Sequence, residues 1–269
     1  MQNTQLSIFD LIPAASSINS STEFTPNTPA SIIPFPNSPQ NPHPNRKPQQ
    51  RVSPIRNTEI TNQIYKALLN SGRYGLRNAT IFALQLAIGR RTNDILRMTF
   101  GTVYDYTTHS IKPYIRVDEH KTGKTIRDLP IPAKTRELLL KYTKTLKSRK
   151  PDSLLFPSQK HNADGSQRPL NTASLDYIYQ VATTAIYAAL DIDQTHISSY
   201  AARKTFCYDL YMKSMTENNG FVPGTNIYVV DYLQSFLNHA SNQDTMRYIG
   251  VYDSISMEMA DSIAEKYDF

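Results

Sequence analysis

Ten of the seventeen prolines fall before residue 56, in a stretch otherwise dominated by Asn, Ser, Thr and Gln. Such a segment cannot bury enough apolar surface to offset the entropy lost on ordering. Residues 1–55 are therefore expected to form a disordered tail, part of it extended and polyproline-like because glycine is scarce. This confines the fold to residues 56–269.

Within that span the hydrophobic period changes twice. Ile60, Ile64, Leu68 and Leu69 recur at helical spacing behind a capping Thr58, and Ser71-Gly72 stops the run. A second helix is expected over 78–88, with Ile81, Leu84 and Ile88 on one face, broken by Gly89. Thr92 can cap a short third helix over 93–98. Residues 111–117 and 125–131 are then rich in β-branched side chains, and Lys121-Thr-Gly-Lys124 turns between them, which signals a hairpin. Helical spacing returns over 133–150, 170–190, 200–215, 228–237, 242–250 and 254–266. The expected class is α+β: mostly helical, with one small antiparallel β-sheet.

Few function classes survive the composition. The apolar run Ile81–Ile88 is too short for a membrane span and is interrupted by Gln85, so it reads as a core helix. No secretory signal is visible, and the single cysteine, Cys207, permits no internal disulfide, which fits a cytoplasmic setting and a small buried side chain. A net charge of +6 leans towards a polyanionic partner. No metal-ligand spacing appears, and neither metal nor cofactor is expected.

Five positions sit at structural punctuation rather than on smooth helix faces. Arg91 follows Gly89-Arg90 at a helix break, and Lys121 sits at the hairpin tip. Arg203 lies in Tyr200-Ala-Ala-Arg203-Lys-Thr-Phe206. His239 lies in Leu237-Asn-His239-Ala-Ser241, and Tyr248 follows nine residues later. Each taken alone has a plain reading as a surface, capping or packing residue. Together, in this order, they resemble the tyrosine recombinase (phage integrase) family over residues 57 to the C-terminus.

The resemblance implies an integrase-type catalytic domain over 56–269 and double-stranded DNA as substrate. It implies site-specific cutting and rejoining through a 3′-phosphotyrosine bond, by subunits that assemble as a tetramer on DNA. Arg91 and Arg203 would offer forked donors to the non-bridging phosphate oxygens, His239 would complete the site, and Asp94 would support it. Tyr248 would be the nucleophile, and Lys121 would protonate the leaving 5′ oxygen. A phenol with a free pKa near 10 attacks poorly until it is deprotonated or positioned. A topoisomerase of related mechanism, or a non-catalytic DNA-binding relic, are the alternative functions.

Two departures from the family pattern stand out. The second box usually opens with His, and here opens with Tyr200, either a catalytic aid or a packing residue. His196 lies out of register, and Tyr252 fits the spacing from His239 less well than Tyr248. The helical clamping domain that family members usually carry ahead of the catalytic domain is expected to have its place taken here by the proline-rich stretch. Within that stretch Gln5-Leu6-Ser7-Ile8-Phe9 resembles the peptide by which bacterial proteins dock on the replicative sliding clamp, or is an amphipathic scrap that packs elsewhere. A bacterial, phage or plasmid origin is expected. Beyond Tyr248, Ile255, Met259 and Ile263 form one helical stripe, expected to dock on a neighbouring subunit.

Overall fold

The computed structural model describes residues 52–251, apart from 122, 124 and 190–196 and the side chains of 126, 127, 185 and 189. Residues 1–51 of the expected tail, with Gln5–Phe9, the expected helix over 254–266 with its apolar stripe, His196 and Tyr252 lie outside the described residues; residues 52–55, also expected in the tail, are described.

Ordered packing begins a few residues before the first helix. Ile55 is buried, and its backbone N–H donates to Thr205 Oγ1 at 2.8 Å. Helix α1 (Thr58–Leu69) is capped by Asn57, whose side chain accepts from Glu59 N and Ile60 N, and it buries Ile64 and Leu68. A short 3-10 turn over Gly72–Tyr74 leads into α2 (Gly75–Ile88), which therefore starts three residues before the expected Asn78. Helix α2 is the central element, packed against α1, α5 (Ala133–Thr143) and α7 (Ser199–Glu217).

Gln85, the polar break in the apolar run of α2, is the hub of the interior. It accepts from Tyr179 Oη at 2.6 Å through Oε1 and donates to Thr92 Oγ1 at 3.0 Å and to the Ser199 carbonyl at 3.1 Å. Thr92 Oγ1 also donates to the Ser199 carbonyl. A buried amide is stable only when its donors and acceptor are met, and here they fix three elements relative to one another. Those elements are α3 (Thr92–Leu96), α6 (Thr172–Ala189) and the start of α7. Thr92 is thereby engaged across the core, and the N-cap position of α3 is Arg91 rather than Thr92.

The expected hairpin is β3 (Tyr114–Asp118) and β4 (Thr125–Pro130), antiparallel, with a bulge between Ile115 and Val117. Ile115 and Val117 point inward while Tyr114, Arg116 and Asp118 face solvent. Two further two-stranded ribbons accompany it: β1 (Tyr104–Asp105) with β2 (Ser110–Ile111), and β5 (Pro157–His161) with β6 (Gln167–Pro169). Strands of two to five residues are too short to declare a period-2 pattern. Helix α4 (Phe100–Val103) links α3 to β1.

Helix α5 ends at Thr143 rather than at residue 150. The hydroxyls of Thr143 and Thr145 turn back onto the carbonyls of Leu140 and Tyr142, in competition with further helix. The remaining helices are α8 (Val229–Leu237) and α9 (Asn242–Ile249), the latter capped by Ser241, which accepts from Asp244 N at 3.1 Å. No helix among the described residues is long and apolar enough to cross a membrane.

Candidate active site

The site begins where α2 ends. Gly89 closes α2 in the left-handed region at φ 58°, and an added Cβ there would meet the Phe206 ring at 2.2 Å. The chain is thus forced past α7 at the position that delivers Arg90 and Arg91. Arg90 is almost wholly buried, 1% exposed, with its guanidinium 3.7 Å above the Phe236 ring of α8. Its Nη2 donates to the Phe236 carbonyl at 3.4 Å. Burial, and then repulsion from Arg203, bring its pKa down to about 10, with Glu119 opposing. It stays charged at neutral pH.

Glu119, itself 4% exposed, joins both arginines: Oε1 lies 3.3 Å from Arg90 Nη1 and 2.8 Å from Arg91 Nη1. Arg91 keeps part of its side chain open to solvent. The carboxylate of Asp94 accepts from the His120 backbone N–H at 2.9 Å, which ties α3 to the end of the hairpin one residue before Lys121. Lys121 is exposed at the turn and makes no hydrogen bond or ion pair with another described residue.

Across from this cluster, α7 presents Arg203 from its buried face, with Nη1 unpartnered among the described residues. The Arg203 guanidinium lies within electrostatic reach of the Tyr248 phenol. Tyr248 is the seventh residue of α9, so the Ser241 cap sets its facing. Burial pushes its phenol up to about 12, against the downward pull of Arg203. Lys204 places its Nζ 4.7 Å from the centre of the Tyr248 ring.

His239 enters from the other side. Asn238 adopts the left-handed conformation at the end of α8 (φ 58°), and this turn aims the imidazole at α9. The ring meets Tyr248 edge-on, with centroids 5.2 Å apart, and Nδ1 lies 3.2 Å from Thr245 Oγ1. Its pKa falls below the ordinary 6.5, first through burial; Asp244 opposes, and Arg203 and Arg91 push it further down.

Arg91, Arg203, His239 and Tyr248 thus converge from α3, α7, the α8–α9 turn and α9. Tyr200 stands in the first turn of α7 within electrostatic reach of Tyr248. It is 49% exposed, so packing is not its main role. Lys121 makes no hydrogen bond or ion pair with the side chains of Arg91, Arg203, His239 and Tyr248. Arg90 and Glu119 escaped the sequence reading, although Glu119 carried a signal: it continues the inward register of Ile115 and Val117, where a carboxylate is out of place without partners. Cys207 is buried and free, as expected for a small packing side chain. Among the described residues no group of three His, Cys, Asp or Glu side chains is placed to hold a metal ion.

The model of the phage integrase family matches residues 57–254, and the chain belongs to that family, the tyrosine recombinases. One relative is the probable integrase/recombinase YoeC of Bacillus subtilis, 26% identical over 200 residues, which span 74% of this chain and 90% of YoeC. Among solved structures, the XerH site-specific recombinase in a post-cleavage complex with its palindromic difH substrate superposes with a TM-score of 0.52 at 20% identity. That match covers 80% of this chain but only 54% of the XerH chain, so this chain spans about half of that relative's length. The XerA recombinase gives a TM-score of 0.50 at 16% identity, over 83% of this chain and 68% of XerA. These two likenesses establish the fold.

Proposed function

We propose that the chain is a site-specific DNA strand transferase that works through a 3′-phosphotyrosine intermediate at Tyr248. The observation that carries this reading is the placement of one phenol between the Arg203 guanidinium and the His239 ring, with Arg91 acting on the same histidine. Membership of the phage integrase family supports it.

In the proposed step Tyr248 Oη attacks the scissile phosphorus. A P–Oη bond forms and the bond from phosphorus to the 5′ oxygen breaks. The phenolic proton passes to a neutral base, and His239, held neutral by burial, is the titratable group beside it. The departing 5′ oxygen takes a proton from Lys121. Arg91 and the spare donor of Arg203 receive the charge that accumulates on the non-bridging oxygens, and each such donor is worth about 10²–10³ in rate. Tyr200 offers a hydroxyl at the rim. The phosphodiester energy is kept in the protein–DNA bond, so rejoining needs no nucleotide hydrolysis.

The test is a nicked duplex that traps protein on the 3′ phosphate. The wild type is expected to give a denaturant-resistant adduct and Tyr248→Phe none; an adduct from Tyr248→Phe removes the assignment. Full recombination further requires double-stranded DNA bound by four subunits. The Gln5–Phe9 peptide is proposed as a ligand of the bacterial sliding clamp on its sequence pattern alone, and calorimetry with a peptide of residues 1–15 tests that.

A further inference from the structure

A cavity of about 580 Å³ lies at the opposite end of α2 from Arg91, between the 3-10 turn, the end of α5 and the β5–β6 ribbon. Fourteen helical residues separate the two ends, roughly 20 Å at 1.5 Å per residue. Arg77 lines it as a buried cation. Its Nε and Nη2 donate to Asn78 Oδ1 at 3.2 and 3.0 Å, and Nη1 donates to the Pro157 carbonyl at 3.3 Å. Those three bonds leave two of the five guanidinium N–H donors over.

Among the described residues no carboxylate forms an ion pair with this guanidinium. Burial lowers the Arg77 pKa, and the groups that act on it electrostatically are the phenols of Tyr142 and Tyr74. The cavity lining adds Arg73, Lys147 and His161 and contains neither Asp nor Glu. The N-terminus of α2 opens on the same space through Tyr74 and Leu76, and no side chain caps it. A helix N-terminus carries about half a positive charge; here the first amide, Gly75 N–H, already donates to the Gly72 carbonyl. Arg77 is held by those three hydrogen bonds and by the Tyr74 ring, whose centre lies 4.6 Å from its guanidinium carbon, rather than by an opposite charge.

We propose that this cavity is a second anion site, separate from the candidate active site, which takes a phosphate-bearing ligand up to the size of a nucleotide. Two guanidinium forks, an ammonium and a helix N-terminus suit a multiply charged tetrahedral anion better than a single carboxylate. The volume falls in the range of small-ligand pockets. The phosphate can come from a soluble compound or from the backbone of a nucleic acid strand.

Titration calorimetry of the full chain with inorganic pyrophosphate tests the site. Arg73 and Lys147 are exposed at its rim, so the double variant Arg73→Ala/Lys147→Ala is expected to fold normally and to bind pyrophosphate at least tenfold more weakly. Arg91→Ala is expected to leave that binding unchanged. Duplex binding by the same double variant separates the sources. Unaltered affinity and salt dependence, with pyrophosphate binding lost, assign the site to a soluble ligand. A fall of about one in the slope of log K against log salt for each phosphate contact removed assigns it to nucleic acid. The proposal is overturned if wild-type protein gives no heat with millimolar pyrophosphate and the salt slope of the variant is unchanged. It is equally overturned if Arg91→Ala abolishes pyrophosphate binding while the rim variant retains it.

Discussion

Glu119 holds two guanidinium groups at once, and they differ in what they can do. Arg90 is sealed between Glu119 and the Phe236 ring and serves as a fixed charge, whereas Arg91 keeps a face open to solvent. Removing one member of a buried ion network strands the others, at about 3–5 kcal/mol. Glu119→Ala should lose stability on that scale in a denaturant melt. Glu119→Gln keeps an acceptor near both arginines and should fold better, yet cleave a nicked duplex at least tenfold more slowly with little change in DNA affinity. Wild-type cleavage by Glu119→Gln would mean that Arg91 needs no such support. His239 supplies a second test at this scale. Because burial and two cationic neighbours depress its pKa, the neutral form persists below pH 6.5 in the folded protein. An unfolded chain would take up that proton first, so the stability linked to His239 is full above 6.5 and is lost as pH falls towards the depressed value. An NMR titration should place the His239 midpoint below 6.5, and Arg91→Ala should move it upward; a midpoint above 6.5 would contradict the burial argument.

At the scale of elements, the α2–α3 junction carries the most. Gly89 is the one residue type that can end α2 there, since any side chain would need both the left-handed conformation and space occupied by the Phe206 ring. Strain and overpacking together should cost Gly89→Ala about 2–5 kcal/mol, read as a lower denaturant midpoint. Whatever folds should also cleave poorly, because Arg90 and Arg91 follow directly. Near-native stability of the variant would show that Phe206 yields easily. This junction was legible in the sequence as a glycine after an apolar helix, and so were the breaks that precede His239 and Tyr248. Gln85 was legible only as an interruption of an apolar run. That it joins α3, α6 and α7 depends on Thr92, Tyr179 and Ser199, whose proximity no local pattern encodes. The β1–β2 and β5–β6 ribbons were illegible because their pairs are too few to outweigh the turns between them.

For the molecule as a whole, the candidate site is an assembly of residues far apart in sequence, and the ordered motifs named candidates without giving their geometry. The hairpin position of Lys121 follows from its turn residues, but its separation from Tyr248 is set by tertiary structure, and the structure leaves its side chain without a described partner. The hairpin tip is therefore expected to gain hydrogen-exchange protection when a nicked duplex binds. Lys121→Ala should recover cleavage when the leaving 5′ oxygen is replaced by sulfur, which departs without a proton; no recovery would take Lys121 out of the acid role. The same long-range wiring operates at the two ends of the described chain. Ile55 N–H is bonded to Thr205 on α7, and Arg56 Nη2 donates to the Gly250 carbonyl at 2.9 Å, two residues beyond Tyr248. Tension applied to the polypeptide ahead of Ile55 would thus be shared between α7, through the Ile55–Thr205 link, and the end of α9, through the Arg56–Gly250 link, so the two helices that carry Arg203 and Tyr248 share one anchor.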